Sequence, residues 1–196
     1  MSTNIDFSLD EFSLLSDPDI IIKKKVVQSK IYELLELTQN KISDVLGNHE
    51  DSLPANYGHA KISKGESYLN LPYMVLDYPS EFSKKNTFAF RTMFYWGNFF
   101  SNTLHLEGEY LENARQSLYA GTTSLIKRNT YISTGKTPWH YHYETDNYIA
   151  LSQENSSKLL HDSFVKLSTK IELNKWQNLP HLSAGYLQKL LQLITH

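Results

Sequence analysis

A chain of 196 residues with a hydrophobic share of 40% and a charged share of 20% has the length for one well-filled core and the composition of a globular protein. Its formal net charge is −2 and its only basic concentration is Lys23-Lys24-Lys25, which excludes the footprint of a nucleic-acid binder, while the lack of cysteine excludes disulfides, thiolate zinc sites and thiol nucleophiles. No apolar run approaches the roughly 20 residues that span a bilayer, and the acidic start lacks the basic and apolar regions of a signal peptide, so a cytoplasmic protein without nucleic-acid or membrane partners is expected.

Residues 1–16 read as an N-terminal arm, with Phe7, Leu9, Phe12, Leu14 and Leu15 set among acids, that either docks or frays; residues 17–196 read as a single domain. Asp17-Pro18, an N-cap acid followed by proline, predicts a helix running to about Leu46 and closed by Gly47. Val27, Ile31, Leu34, Leu35, Ile42 and Val45 form its apolar stripe. A helix of that length overshoots any sheet beneath it, so its excess is expected against a second subunit. After a polar loop to Gly58, Ala60–Lys64 and Leu71–Asp77 read as short strands, the second broken by Tyr78-Pro79-Ser80.

The aromatics concentrate between Phe88 and Glu107, which predicts one long central hairpin turning at Gly97-Asn98 through a two-residue type II′ turn. That turn pairs Trp96 with Phe99, Phe94 with Ser101, Thr92 with Thr103, Phe90 with His105 and Phe88 with Glu107 on one face. Tyr95, Met93, Arg91 and Ala89 then share the other face with Phe100, Asn102, Leu104 and Leu106. Neither face is cleanly polar, which calls for helices over one and a partner, a lid or a ligand over the other. Beyond it the pattern predicts a helix over Gly108–Arg128 frayed near Gly121, strands at Tyr131–Thr134 and Trp139–Glu144, a helix over Gln153–Leu173 with Leu160, Phe164, Leu167 and Ile171 inward, and a short helix over Ser183–Ile194. The fold class is α+β: an antiparallel meander sheet of four to six strands built on the hairpin and packed by the long N-terminal helix and further helices.

The runs KGESYLNLPYMVLDYP and FAFRTMFYWGNFFSNTLHLEG, with the later WHYHYETDNYI, resemble a group of bacterial proteins of unknown function. The resemblance spans Lys61 to Leu151, and it implies bacterial origin and no activity.

The most chemical stretch is Trp139-His140-Tyr141-His142-Tyr143-Glu144, because a strand would put His140, His142 and Glu144 on one face, where two imidazoles and a carboxylate can bind a divalent metal. The alternative is a strand with Trp139, Tyr141 and Tyr143 inward and the three polar residues in water. No further cofactor is expected. His105 beside Glu107 could act as an acid-base pair, and equally both could be ordinary polar residues near a strand end. Arg91 could hold a ligand carboxylate or phosphate, or pair with Asp77 or Glu109 within the fold; the structural pairing is the expectation. No phosphate-cradling glycine loop, GxSxG elbow or HExxH is present. Three functions remain open. The first is a small-ligand-binding domain, a homodimer, with a pocket walled by Phe88, Phe90, Phe94, Trp96 and Phe99 and rimmed by Thr103, His105, Glu107 and Arg91; a metal-dependent enzyme and a structural adaptor for another chain follow.

Overall fold

Local chemistry sets the first elements of the computed structural model, which describes residues 5–49, 53–54 and 57–194. Helix α1 (Leu9–Ser16) starts in a capping box, Ser8 and Glu11 bonding each other's backbone N–H, and buries no side chain. Helix α2 (Pro18–Gly47) starts where the sequence places it, the Asp17 carboxylate accepting the Asp19 N–H at 2.9 Å and proline taking the first turn. Its buried residues are Leu34, Leu35, Thr38, Ile42 and Leu46; Val27, expected inward, is exposed.

The strands are β1 (Lys61–Tyr68), β2 (Leu71–Phe82), β3 (Thr87–Tyr95), β4 (Phe99–Glu107), β5 (Tyr131–Ser133), β6 (Tyr148–Ala150) and β7 (Phe164–Ile171). They form one antiparallel sheet of seven strands in the order β1-β2-β3-β4-β7-β5-β6. The fold is therefore α+β with a long N-terminal helix, but the sheet exceeds the four to six strands expected, and β7 interrupts the meander. Leu69-Asn70, both at positive φ, turn β1 into β2. Strand β2 runs through Tyr78-Pro79-Ser80, absorbing it as an irregularity between Asp77 and Ser80 instead of ending there.

The hairpin is present as β3 and β4, with its register shifted by one residue from the expected one. Tyr95 pairs with Phe99, Phe94 with Phe100, Thr92 with Asn102, Phe90 with Leu104 and Phe88 with Leu106, so the connection is the three residues Trp96-Gly97-Asn98. Gly97 takes φ +70°, and the Asn98 N–H donates to the Tyr95 carbonyl at 3.0 Å. The physical reason is segregation of the faces. This pairing sets phenylalanines against leucines toward the helices, whereas the expected one would have set Phe90 against His105 and Phe88 against Glu107.

Helices α3 (Glu109–Ala120) and α4 (Thr122–Ile126) follow, broken at Gly121; then come α5 (Lys158–His161), a 3-10 turn over Leu173–Asn178 and α6 (Leu179–Ile194). Helices α2, α3 and α6 pack on one face of the sheet around Leu35, Ile42, Phe90, Leu104, Leu167 and Leu187. The helix expected over Gln153–Leu173 is a correction. Its spacing of Leu160, Phe164, Leu167 and Ile171 suits a helix, but Val165, Leu167 and Ile171 also alternate, and the segment inserts as β7 beside β4, pairing Val165 with Leu106 and Leu167 with Leu104. Residues 139–144 form no strand; they belong to a segment that crosses the sheet's other face.

Candidate functional site

Because side chains alternate along each strand, the register puts Asp77, Arg91, Thr103, Ser168 and Tyr131 side by side across the second face, with Ala89, His105 and Lys166 as the adjacent set. Residues 134–147 lie over them. This segment is held by the Tyr68 hydroxyl, which accepts the N–H groups of Tyr141 at 2.6 Å and His142 at 3.1 Å, and by the Asn147 amide, which donates to the His142 carbonyl at 2.6 Å. Tyr141 is the wedge. Its ring lies with the Arg91 guanidinium 4.7 Å and the Lys166 Nζ 4.2 Å from its centroid.

Arg91 forks onto Asp77, Nε to Oδ1 at 2.7 Å and Nη2 to Oδ2 at 2.8 Å, so the internal pairing expected from the sequence is the one formed. Lys166 is fully buried, faces no carboxylate within ion-pair distance among the described residues, donates its amine to the backbone carbonyl of His140, and stands 4.9 Å over the Tyr148 ring. Burial, and then the Arg91 charge, bring its pKa down to about 7. His105 is pushed down to about 3 by burial and then by Lys166 and Arg91, so it is neutral at pH 7. Burial raises Tyr141 to about 12 and also raises Tyr143 and Tyr148. Tyr143, Ser168 and Thr103 satisfy one another through hydroxyl contacts of 2.5 and 2.8 Å. Four buried polar atoms around this face, His105 Nε2, His142 Nδ1, Asn147 Oδ1 and the Tyr148 hydroxyl, have no hydrogen-bond partner among the described residues.

The residues expected to wall one aromatic pocket are parted. Phe88, Phe90 and Phe94 face the helices in the core, Trp96 packs beside that core from the turn, and Phe99, Thr103, His105, Glu107 and Arg91 belong to the opposite face. His105 Nε2 and Glu107 Oε2 stand 3.8 Å apart, too far for a hydrogen bond. His140 and His142 lie with ring centroids 5.5 Å apart and planes tilted by 38°, but the segment is irregular, and among the described residues no group of three His, Cys, Asp or Glu is placed to hold a metal. Sequence reasoning missed Lys166 altogether. Its signal was the alternation of Lys166, Ser168 and Lys170 with apolar neighbours, which only the strand reading of FVKLSTKI reveals. A groove of about 700 Å³ lies elsewhere, between α2 and β1, lined by Gln28, Tyr32, Ile62, Lys64 and Met74 among others, and it holds none of these residues.

The chain matches no protein-family model, no curated protein and no solved structure.

Proposed function

We propose that the protein is a binding domain for a small carboxylate-bearing ligand, taken up on the second face of the sheet beneath the segment 134–147. The observation that carries this reading is Lys166: a fully buried amine whose acceptor is a single backbone carbonyl of the covering segment. A buried cation without a carboxylate costs several kcal/mol and is retained where it serves a purpose. The ligand carboxylate replaces the His140 carbonyl as the acceptor of the Nζ protons, and the segment shifts to admit it. Tyr141 and Tyr148 flank the amine, and neutral His105 is the paired neighbour of Lys166 across β4 and β7. Arg91 is already neutralised by Asp77 and Lys170 is exposed to water, so Lys166 is the buried positive charge left without a carboxylate among the described residues, which matches a single carboxylate better than a phosphate dianion.

A bound anion raises the amine's pKa above its free value of about 7, so binding just above pH 7 takes up a proton, and affinity strengthens as pH falls toward 7 and levels off below it. Isothermal titration with acetate, pyruvate and inorganic phosphate tests this, each run in two buffers of different ionisation enthalpy. Saturable carboxylate binding with proton uptake, lost in Lys166→Met, is expected. Binding that ignores pH, no saturable binding of either carboxylate, or preference for phosphate would overturn it.

A further inference from the structure

The N-terminal helices keep in water what the rest of the chain buries. Eleven of the exposed large apolar side chains lie between Ile5 and Val27, Phe12, Leu15, Ile21, Ile22 and Val26 among them. Helix α1 buries nothing, and none of the first sixteen residues of α2, roughly 24 Å at 1.5 Å per residue, is fully buried, Ile31 alone of its apolar side chains packing partly on the core. The apolar surface so exposed is on the order of 1,000 Å² per chain, against about 800 Å² per partner in a standard interface and a few hundred on an ordinary monomer.

Charge identifies the occupant. Between Ile5 and Ile22 stand five acids, Asp6, Asp10, Glu11, Asp17 and Asp19, and no base; Lys23, Lys24 and Lys25 follow at once. Lys24 is taken by Glu66 at 2.5 Å, while Lys25 has no ion-pair partner among the described residues and Asp19, its side chain 68% exposed, has only Lys23 of its own helix at 4.0 Å, a loose and solvated contact. Asp19, Ile22, Lys25 and Val26 fall at spacings of three and four and so share one face of α2. A two-fold axis through Ile22 runs two such helices antiparallel, which sets Asp19 of each copy against Lys25 of the other and Ile22 against itself. An order of acid, apolar, base is complementary to its own reverse, the requirement of an isologous interface. The same five acids oppose an anionic membrane surface.

We infer that the protein is a homodimer joined through α2, with α1 flanking the contact. This assigns the dimer to residues of α1 and α2, none of which belongs to the ligand face, and it stands whether or not the carboxylate reading does. Sedimentation equilibrium at about 50 μM should give twice the chain mass of 22.7 kDa. Ile22→Asp with Val26→Asp should give a monomer whose circular dichroism and melting temperature match the monomeric fold. Asp19→Lys and Lys25→Asp should each weaken the dimer at least tenfold, and the two together should restore it, since each copy then offers the reversed pair. A wild-type mass of one chain, a dimer that survives the Ile22/Val26 change, or failure of the double charge reversal to restore association overturns the inference. So would co-sedimentation of the wild type with phosphatidylglycerol vesicles that the Ile22/Val26 change abolishes, which would give the surface to a membrane.

Discussion

Replacing Lys166 with Met keeps an unbranched stem of similar length in the site and removes only the amine. The folded amine titrates at about 7 against an ordinary 10.5, so as pH falls the unfolded chain takes up its proton first. The wild type therefore loses stability between about pH 10 and pH 7 and loses little more below that. With each pH unit worth about 1.4 kcal/mol, the part of this loss falling between pH 10 and pH 7 is about 3 to 4 kcal/mol. Met has no such loss. The variant forfeits the bond to the His140 carbonyl, but that is a fixed offset, and every other titration is common to both proteins to first order. The difference in unfolding free energy, variant minus wild type, should thus rise by about 3 to 4 kcal/mol as pH is lowered from 10 to 7, then flatten. Urea unfolding followed by tryptophan fluorescence at intervals of one pH unit measures it. A difference that stays constant across the range would mean that the amine titrates normally, and the account of Lys166 as a desolvated cation would fail.

Asp77→Asn should cost about 2 to 4 kcal/mol in urea unfolding, because it strands a guanidinium whose side chain is only 19% exposed; the value sits below the usual 3 to 5 for a broken buried pair because that fraction still reaches water. No loss would show that Arg91 has another partner. Gly97→Val should cost about 1 to 2 kcal/mol: φ of +70° strains a β-branched residue, and nothing lies within 4 Å of the added Cβ. A much larger loss, read by the same unfolding curves, would mean that the turn is held by contacts the backbone angle does not explain.

What could be read from the chain without its structure was whatever depends on adjacent residues. The start of α2 is such a case, since Asp17 and Pro18 act on the turn they begin, as is the break at Gly121. The strand β7 is not. Leu160, Phe164, Leu167 and Ile171 satisfy a helical period, and Val165, Leu167 and Ile171 satisfy a period of two; the choice is made by β4, which lies nearly sixty residues earlier and offers an edge to be paired. The irregular path of residues 139–144 has the same origin. Tyr141 is drawn to Tyr68, Arg91 and Lys166 on the sheet beneath, and the segment pairs with no strand among the described residues.

The hairpin register has the widest consequence. Gly97-Asn98 suits a two-residue turn, and Gly97 at positive φ serves a three-residue connection equally well, so the turn alone does not choose. The neighbours choose. Helices α2, α3 and α6 reward a face carrying Phe88, Phe90, Phe94, Phe100, Leu104 and Leu106, with Thr92 and Asn102 bonded to each other between them, and moving β4 by one residue supplies it. The same step carries His105 and Thr103 to the opposite face, where they meet Arg91, Lys166 and Ser168 instead of Phe90 and Thr92. The displacement that dismantles the expected aromatic wall therefore assembles the polar strip; burial there first, and the Arg91 charge second, lower the amine of Lys166, and burial followed by the Lys166 and Arg91 charges holds His105 neutral. A candidate site built from β2, β3, β4, β7 and the crossing segment cannot be recognised until those five pieces are in register, because no two of its decisive residues are neighbours in the chain.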